Sequence, residues 1–129
     1  MTSSPTILIV DDEPELCAVL EKTLKKEGYH ALTATTGRRA LALLKKEKVH
    51  LLLLDLKMPD MGGLDLLKKI RGKEAAPKGK KKKGVPVVIL TAYGSLSSAR
   101  EAMELGAVDY LTKPFDLGEV KSVVREVLG

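Results

Sequence analysis

The stretch HLLLLDLKMPDMGG, residues 50–63, decides how this chain is read. Four consecutive leucines, Leu51 to Leu54, run straight into Asp55, and Pro59, Gly62 and Gly63 follow. A short apolar run bounded by turn residues is the pattern of a strand buried on both faces, as in a parallel sheet. A carboxylate at the end of such a strand would be costly if the strand continued into the core. It makes sense if the strand stops there and Asp55 projects into a crevice that uses it.

Working outward, the same pattern recurs. Residues 6–10 (TILIV) form a second apolar run and end in Asp11-Asp12. Glu13-Pro14-Glu15 then opens a helix, since proline is tolerated in a first turn and acids favour the N-terminal dipole. Its predicted apolar stripe is Leu16, Val19, Leu20 and Leu24, with Gly28 ending it. Residues 30–34 are a weaker, partly alternating strand, as expected of a sheet edge. Thr36 can cap a helix carrying Ala40, Leu41, Leu43 and Leu44. After Asp55, a third helix carries Leu64, Leu66, Leu67 and Ile70. Residues 86–90 (PVVIL) are a buried strand ending at Thr91-Ala92, and a helix over about 95–105 is closed by Gly106. Residues 108–111 make the fifth strand, running into Thr112-Lys113-Pro114. The last helix covers about 116–128, with Leu117, Val120, Val124 and Val127 on one face.

Strand and helix alternate five times, which argues for a parallel sheet with helices on both faces. Right-handed crossovers leave few topologies, of which a flavodoxin-like (βα)5 fold with strand order 2-1-3-4-5 is the simplest. Ligands in such sheets bind beyond the carboxyl ends of the strands, at the switch point between strands 1 and 3. With 129 residues and neither repeat nor linker, residues 1–129 are expected to be one domain.

Composition narrows the function classes. The single cysteine, Cys17, excludes an internal disulfide and fits a reducing compartment. No apolar run approaches the roughly 18 residues of a membrane span, and no signal-peptide core precedes the first strand, so a soluble cytoplasmic protein is expected. The net charge of +5 is local. Residues 72–84 (GKEAAPKGKKKKG) hold six lysines against Glu74, leaving sixteen basic and sixteen acidic residues elsewhere. A pI argument about the partners of the whole fold would therefore mislead.

The polar residues converge. Asp11 and Asp12 end strand 1, Asp55 ends strand 3, Thr91 ends strand 4 and Lys113 follows strand 5, all at one sheet edge. Clustered carboxylates cannot all stay ionised unless cations compensate. Lys113 supplies one charge, and a hard divalent ion such as Mg2+ could supply the rest. A carboxylate can attack phosphorus to form an acyl phosphate. That transfer needs positioning and neutralisation of phosphoryl oxygens, for which the metal, Lys113 and the Thr91 hydroxyl are suitable, while Ala92 leaves room for a donor. Singly, each residue has a plainer use. Asp12 could cap the first helix, Asp55 could serve a turn before Pro59, Thr91 could end a strand, Lys113 could be solvated, and Tyr110 and Phe115 could be core. Their meeting at one edge is what favours a site.

These residues, in this order, resemble the receiver domain of bacterial two-component response regulators. The carriers are ILIVDDEPEL (7–16), LLLLDLKMPDMGGLDLL (51–67), VVILTAYGS (87–95) and AMELGAVDYLTKPF (102–115). The resemblance implies that Asp55 is the phosphoacceptor and that a sensor histidine kinase donates the phosphoryl group. Asp12, Asp55 and the Lys57 backbone carbonyl would ligate Mg2+, with Asp11 direct or through water. Thr91, Ala92 and Lys113 would surround the phosphoryl group. Thr91 and Tyr110 would form the switch, altering the face of the fourth helix, fifth strand and fifth helix, where an output domain, a partner or a second copy binds. It also makes Lys113-Pro114 a candidate cis bond, and it makes residues 57 and 93 tuners of the adduct lifetime. The tail PFDLGEVKSVVREVLG resembles receivers of transcriptional regulators, so a further output domain is an expectation. The lysine stretch departs from the family pattern; it is either a solvated loop or a polyanion contact with steep salt dependence. Two other readings compete. A haloacid-dehalogenase-type phosphatase also uses an aspartate after a buried strand, but wants another Asp where Lys57 stands. A phosphate-independent binding module would keep the fold without switching.

Overall fold

The computed structural model describes residues 4–73, 84–92 and 96–129; most of the lysine-rich stretch 72–84, together with Tyr93 and Ser95, lies outside them. The elements alternate as β1 (Thr6–Val10), α1 (Pro14–Lys26), β2 (His30–Ala34), α2 (Gly37–Lys46), β3 (Leu51–Asp55), α3 (Gly63–Lys73), β4 (Val87–Thr91), α4 (Leu96–Glu104), β5 (Asp109–Thr112) and α5 (Leu117–Leu128). Among the described residues five strands pair in parallel in the order β2-β1-β3-β4-β5, a flavodoxin-like sheet with β2 at one edge.

Alternation of side chains explains why the central strands are apolar without a break. Leu8, Val10, Leu52, Leu54, Val87 and Ile89 meet α2, α3 and α4 on one face, with Ala40, Leu43, Leu66, Leu67, Ile70 and Ala102. Ile7, Ile9, Leu51, Leu53, Val88 and Leu90 meet α1 and α5 on the other, with Cys17, Leu20, Leu24, Val120 and Val124. All four leucines of β3 are fully buried. Burial of one leucine contributes roughly 2 kcal/mol, while an uncompensated buried carboxylate costs several kcal/mol. An unused Asp55 would therefore cancel about two of them.

Local chemistry sets the helix ends. Thr36 accepts a hydrogen bond from the Arg39 amide at the start of α2. Asp116 and Glu119 form a reciprocal capping box on α5. Beyond α1, Gly28 takes φ = +96°, the left-handed conformation that ends helices cheaply only with glycine. Arg71, near the end of α3, donates to the carbonyls of Val85, Leu105 and Gly106 and so ties α3 to the segment leading into β4 and to the α4–β5 connection.

Several expectations are corrected. The buried stripe of α1 is Cys17, Leu20 and Leu24, whereas Val19 is 46% exposed. Two residues beyond Cys17 is about 200° round the helix, so Val19 faces away. β5 begins at Asp109 rather than at Val108, which is exposed. Tyr110 is not core: it is 41% exposed. Buried Leu111 faces α1 and α5, so its neighbour Tyr110 faces the other side of an edge strand, where cover is thin. Phe115 packs partly buried against the α1/α5 core.

Candidate phosphoryl-accepting site

The five residues singled out at the strand ends stand at one edge of the sheet. Asp55 pairs in register with Leu90, so Thr91 lies one residue beyond it on the adjoining strand. Thr91 in turn pairs with Thr112, and the Lys113 amide donates to the Thr91 carbonyl at 2.7 Å. Thr91 is buried, its hydroxyl donating to the Ala92 carbonyl at 3.3 Å. The Lys113–Pro114 peptide bond is cis.

Asp11 and Asp55 are held in the same way. Asp11 Oδ1 accepts the Glu13 amide at 2.9 Å and Asp55 Oδ1 accepts the Lys57 amide at 3.1 Å. These are bonds to the amide two residues on, the Asx pattern. The turn reading of Asp55 is therefore compatible with a functional one, because only one oxygen is spent on the turn. The second oxygens meet Lys113, whose Nζ lies 2.7 Å from Asp11 Oδ2 and 3.4 Å from Asp55 Oδ2. Cys17 Sγ donates to the Asp11 carbonyl at 3.3 Å, fixing the same loop from α1. Burial, with the Asp11 charge as a lesser cause, pushes the Cys17 thiol up to about 11.

Asp12 does not cap α1: the N-cap is Glu13, without a side-chain cap bond, and Asp12 is exposed. Instead Asp11, Asp12 and Asp55 each bring one carboxylate oxygen within 4.8 Å of the others. One ammonium, 2.7 Å from fully buried Asp11 Oδ2, leaves this all-carboxylate set short of positive charge, which suits a hard divalent cation. Electrostatics agree. Burial raises the Asp55 pKa and the Asp11 charge adds to it, against the Lys57 amide and Lys113. For Lys113, burial pulls downward, but Asp11, Asp55 and Glu13 outweigh it and hold the ammonium above its ordinary value.

Sequence reading missed two residues. Glu13 appeared only as a helix opener, yet its Oε1 lies 3.4 Å from Lys113 Nζ; its place directly after Asp11-Asp12 was the available signal. Asp60 sits in the β3–α3 connection and accepts the amides of Gly37 and Arg38 at 2.8 and 3.0 Å. Those two bonds hold its carboxyl below the usual range and tie the loop after Asp55 to the N-terminus of α2. No local pattern announces a contact across 23 residues.

The sequence profile described as the response regulator receiver domain matches residues 7–125. Sporulation initiation phosphotransferase F of Bacillus subtilis (strain 168) is 38% identical over 122 residues, covering 95% of this chain and 92% of that protein. The regulatory protein AtoC of Escherichia coli (strain K12) is 37% identical over 128 residues, which span 99% of this chain but only 26% of AtoC. Among solved structures, a CheY-like response regulator receiver domain protein from Methanospirillum hungatei JF-1 superposes with a TM-score of 0.85 at 31% identity, covering 96% of this chain and 93% of that one. With the strand order, the carboxylate cluster and its lysine already in place, the chain belongs to the receiver domains of two-component response regulators, modules that accept a phosphoryl group on an aspartate.

Proposed function

We propose that Asp55 is the phosphoacceptor, taking a phosphoryl group from a phosphohistidine on a sensor histidine kinase. The observation that carries this is the pairing of Asp55 Oδ2 with Lys113 Nζ at 3.4 Å beside buried Asp11. Asp55 Oδ2 attacks phosphorus, the P–N bond breaks, and its electron pair leaves on a donor ring already protonated at its other nitrogen, as neutral imidazole. Asp55 is held for this by the Lys57 amide. The Lys113 ammonium neutralises a phosphoryl oxygen, the Thr91 hydroxyl donates to another after leaving the Ala92 carbonyl, and small Ala92 leaves the approach open. Mg2+, when bound by Asp11, Asp12, Asp55 and the Lys57 backbone carbonyl, would supply further positive charge at the phosphoryl oxygens.

The output is a packing change. An acyl phosphate brings a charge of about −1.5 to −2, by comparison with phosphorylated side chains. Thr91 turning toward it opens space, and Tyr110, exposed on the adjoining strand β5 opposite Ile89, moves inward. The altered α4–β5–α5 face then engages an output domain, a partner protein or a second copy of the chain. Residues 1–129 act as one regulatory domain that takes part in its own phosphorylation and dephosphorylation rather than turning over a metabolite. The lysines of 72–84, either a solvated stretch or a polyanion contact, are separate from this chemistry.

Incubation with Mg2+ and acetyl phosphate should add one transient phosphoryl group by intact mass. The adduct should be absent in Asp55→Asn and with EDTA. Steady hydrolysis of phosphate esters without an adduct would favour a phosphatase instead, and no reaction a pure binding module. Mg2+ at a hundredfold excess over its Kd should also stabilise the fold by about 2.7 kcal/mol, read as a rise in the unfolding midpoint. Asp11→Asn should largely abolish that rise; an equal rise in the variant would place the ion elsewhere.

A further inference from the structure

Three carboxylates share the Lys113 ammonium, and the phosphoacceptor chemistry uses only two of them. Asp11 and Asp55 are buried, whereas the Glu13 side chain is 63% exposed and reaches Lys113 from the solvent side. Glu13 also borders a cleft of about 370 Å³ lined by Leu16, Ala92, Lys113, Pro114 and Phe115. Four of those five neighbours are apolar side chains. The cleft thus combines a mostly apolar lining, a cation next to Asp55 and one anion on its outer rim.

We propose that Glu13 selects the phosphoryl donor by the charge of its leaving group, favouring a protonated imidazole ring over a carboxylate. This rests on Asp55 being the phosphoacceptor. A donor must approach Asp55 from the solvent side, with its leaving group directed away from the attacking oxygen. Apolar Leu16, Pro114 and Phe115 suit a flat ring. The Glu13 carboxylate suits the ring N–H that must be protonated before the P–N bond can break. As that bond breaks and the Asp55 Oδ–P bond forms, the ring departs as neutral imidazole and keeps its hydrogen bond to Glu13. Acetyl phosphate instead breaks a P–O bond and releases acetate, placing a second anion against Glu13 at a partly exposed site where like charges still repel.

The experiment measures adduct formation by intact mass at low ionic strength with two small donors, acetyl phosphate and monophosphoimidazole. Glu13→Gln keeps the shape and removes the charge; at an exposed N-cap whose side chain caps no helix amide and meets Lys113 only at 3.4 Å, it should fold normally. The expected result is that the rate ratio of acetyl phosphate to monophosphoimidazole rises roughly fivefold in Glu13→Gln. High salt should shrink the difference, and Glu13→Asp should return the ratio most of the way to that of the starting protein. An unchanged ratio would overturn the proposal. So would equal acceleration of both donors, since Glu13 would then only restrain Lys113. Absence of any adduct in the unsubstituted protein would instead remove the phosphoacceptor reading beneath it.

Discussion

Lys113→Ala is expected to lower the stability of the metal-free protein by about 3 kcal/mol at neutral pH. The lysine side chain is 19% exposed, that of Asp11 is fully buried and that of Asp55 is 6% exposed. Removing the ammonium leaves two nearly dry carboxylates facing each other, and the uncompensated charge is costlier than the pair was favourable. The pH dependence follows from Asp55. Its pKa is already raised by burial and by Asp11, and Lys113 is among the groups pulling it back. The variant should raise it further. A carboxyl held above its unfolded value binds a proton on folding, so its contribution is fully present below the unfolded pKa. It is lost as pH rises through the folded pKa. The deficit of Lys113→Ala should therefore be small in acid and grow from the ordinary carboxylate range upward, with Mg2+ recovering part of it. Urea unfolding at several pH values measures this; a deficit independent of pH would mean that the lysine stem, not its charge, carries the effect. Adduct formation should also slow by about tenfold or more, the scale of losing one preorganised cation at a developing anion.

Gly63→Ala should be comparably damaging for a steric reason. A Cβ at Gly63 would lie 2.5 Å from the Asp55 carbonyl oxygen and 2.6 Å from Leu56 Cα, both backbone atoms. Neither can rotate away. The first turn of α3 must back off or the end of β3 must bend, and the Gly63 amide that donates to the Leu56 carbonyl at 2.9 Å moves with it. Overpacking of this kind costs about 2–3 kcal/mol. Because the strand end carries Asp55, phosphorylation should slow in the same variant. Its neighbour is the control: a Cβ at Gly62 would meet only Asp65 Oδ2 at 3.6 Å, an ordinary contact. Gly62→Ala should stay within about 0.5 kcal/mol. Equal denaturation midpoints for the two variants would refute the close-approach argument.

Both predictions depend on contacts between segments far apart in the chain, and that separates what could be read early from what could not. The run from Leu51 to Leu54 declares a doubly covered strand, because both faces of β3 meet helices and no polar position survives between them. The same logic found β1 and β4, and weak alternation marked β2 as an edge. Asp11, Asp12, Asp55, Thr91 and Lys113 were legible as a group, since each closes a strand or stands within two residues of its end, and parallel strands place all their carboxyl ends together.

Side-chain direction was less legible. Val19 and Tyr110 are large and apolar enough to pass for core, yet helical phase turns one outward and an edge strand leaves the other uncovered. Local composition cannot report which face a neighbour covers.

By itself, then, the amino-acid order determined the strand register of hydrophobicity, the five-fold alternation and the residues at the strand ends, because these depend on periodicity and on adjacency along the chain. Tertiary structure alone decided that Lys113 serves three carboxylates, that Asp60 ties the loop after Asp55 to α2, and that Gly63 rather than Gly62 admits no side chain. Each of these is a distance between segments brought together only when the helices pack on the sheet, and no spacing along the chain encodes it.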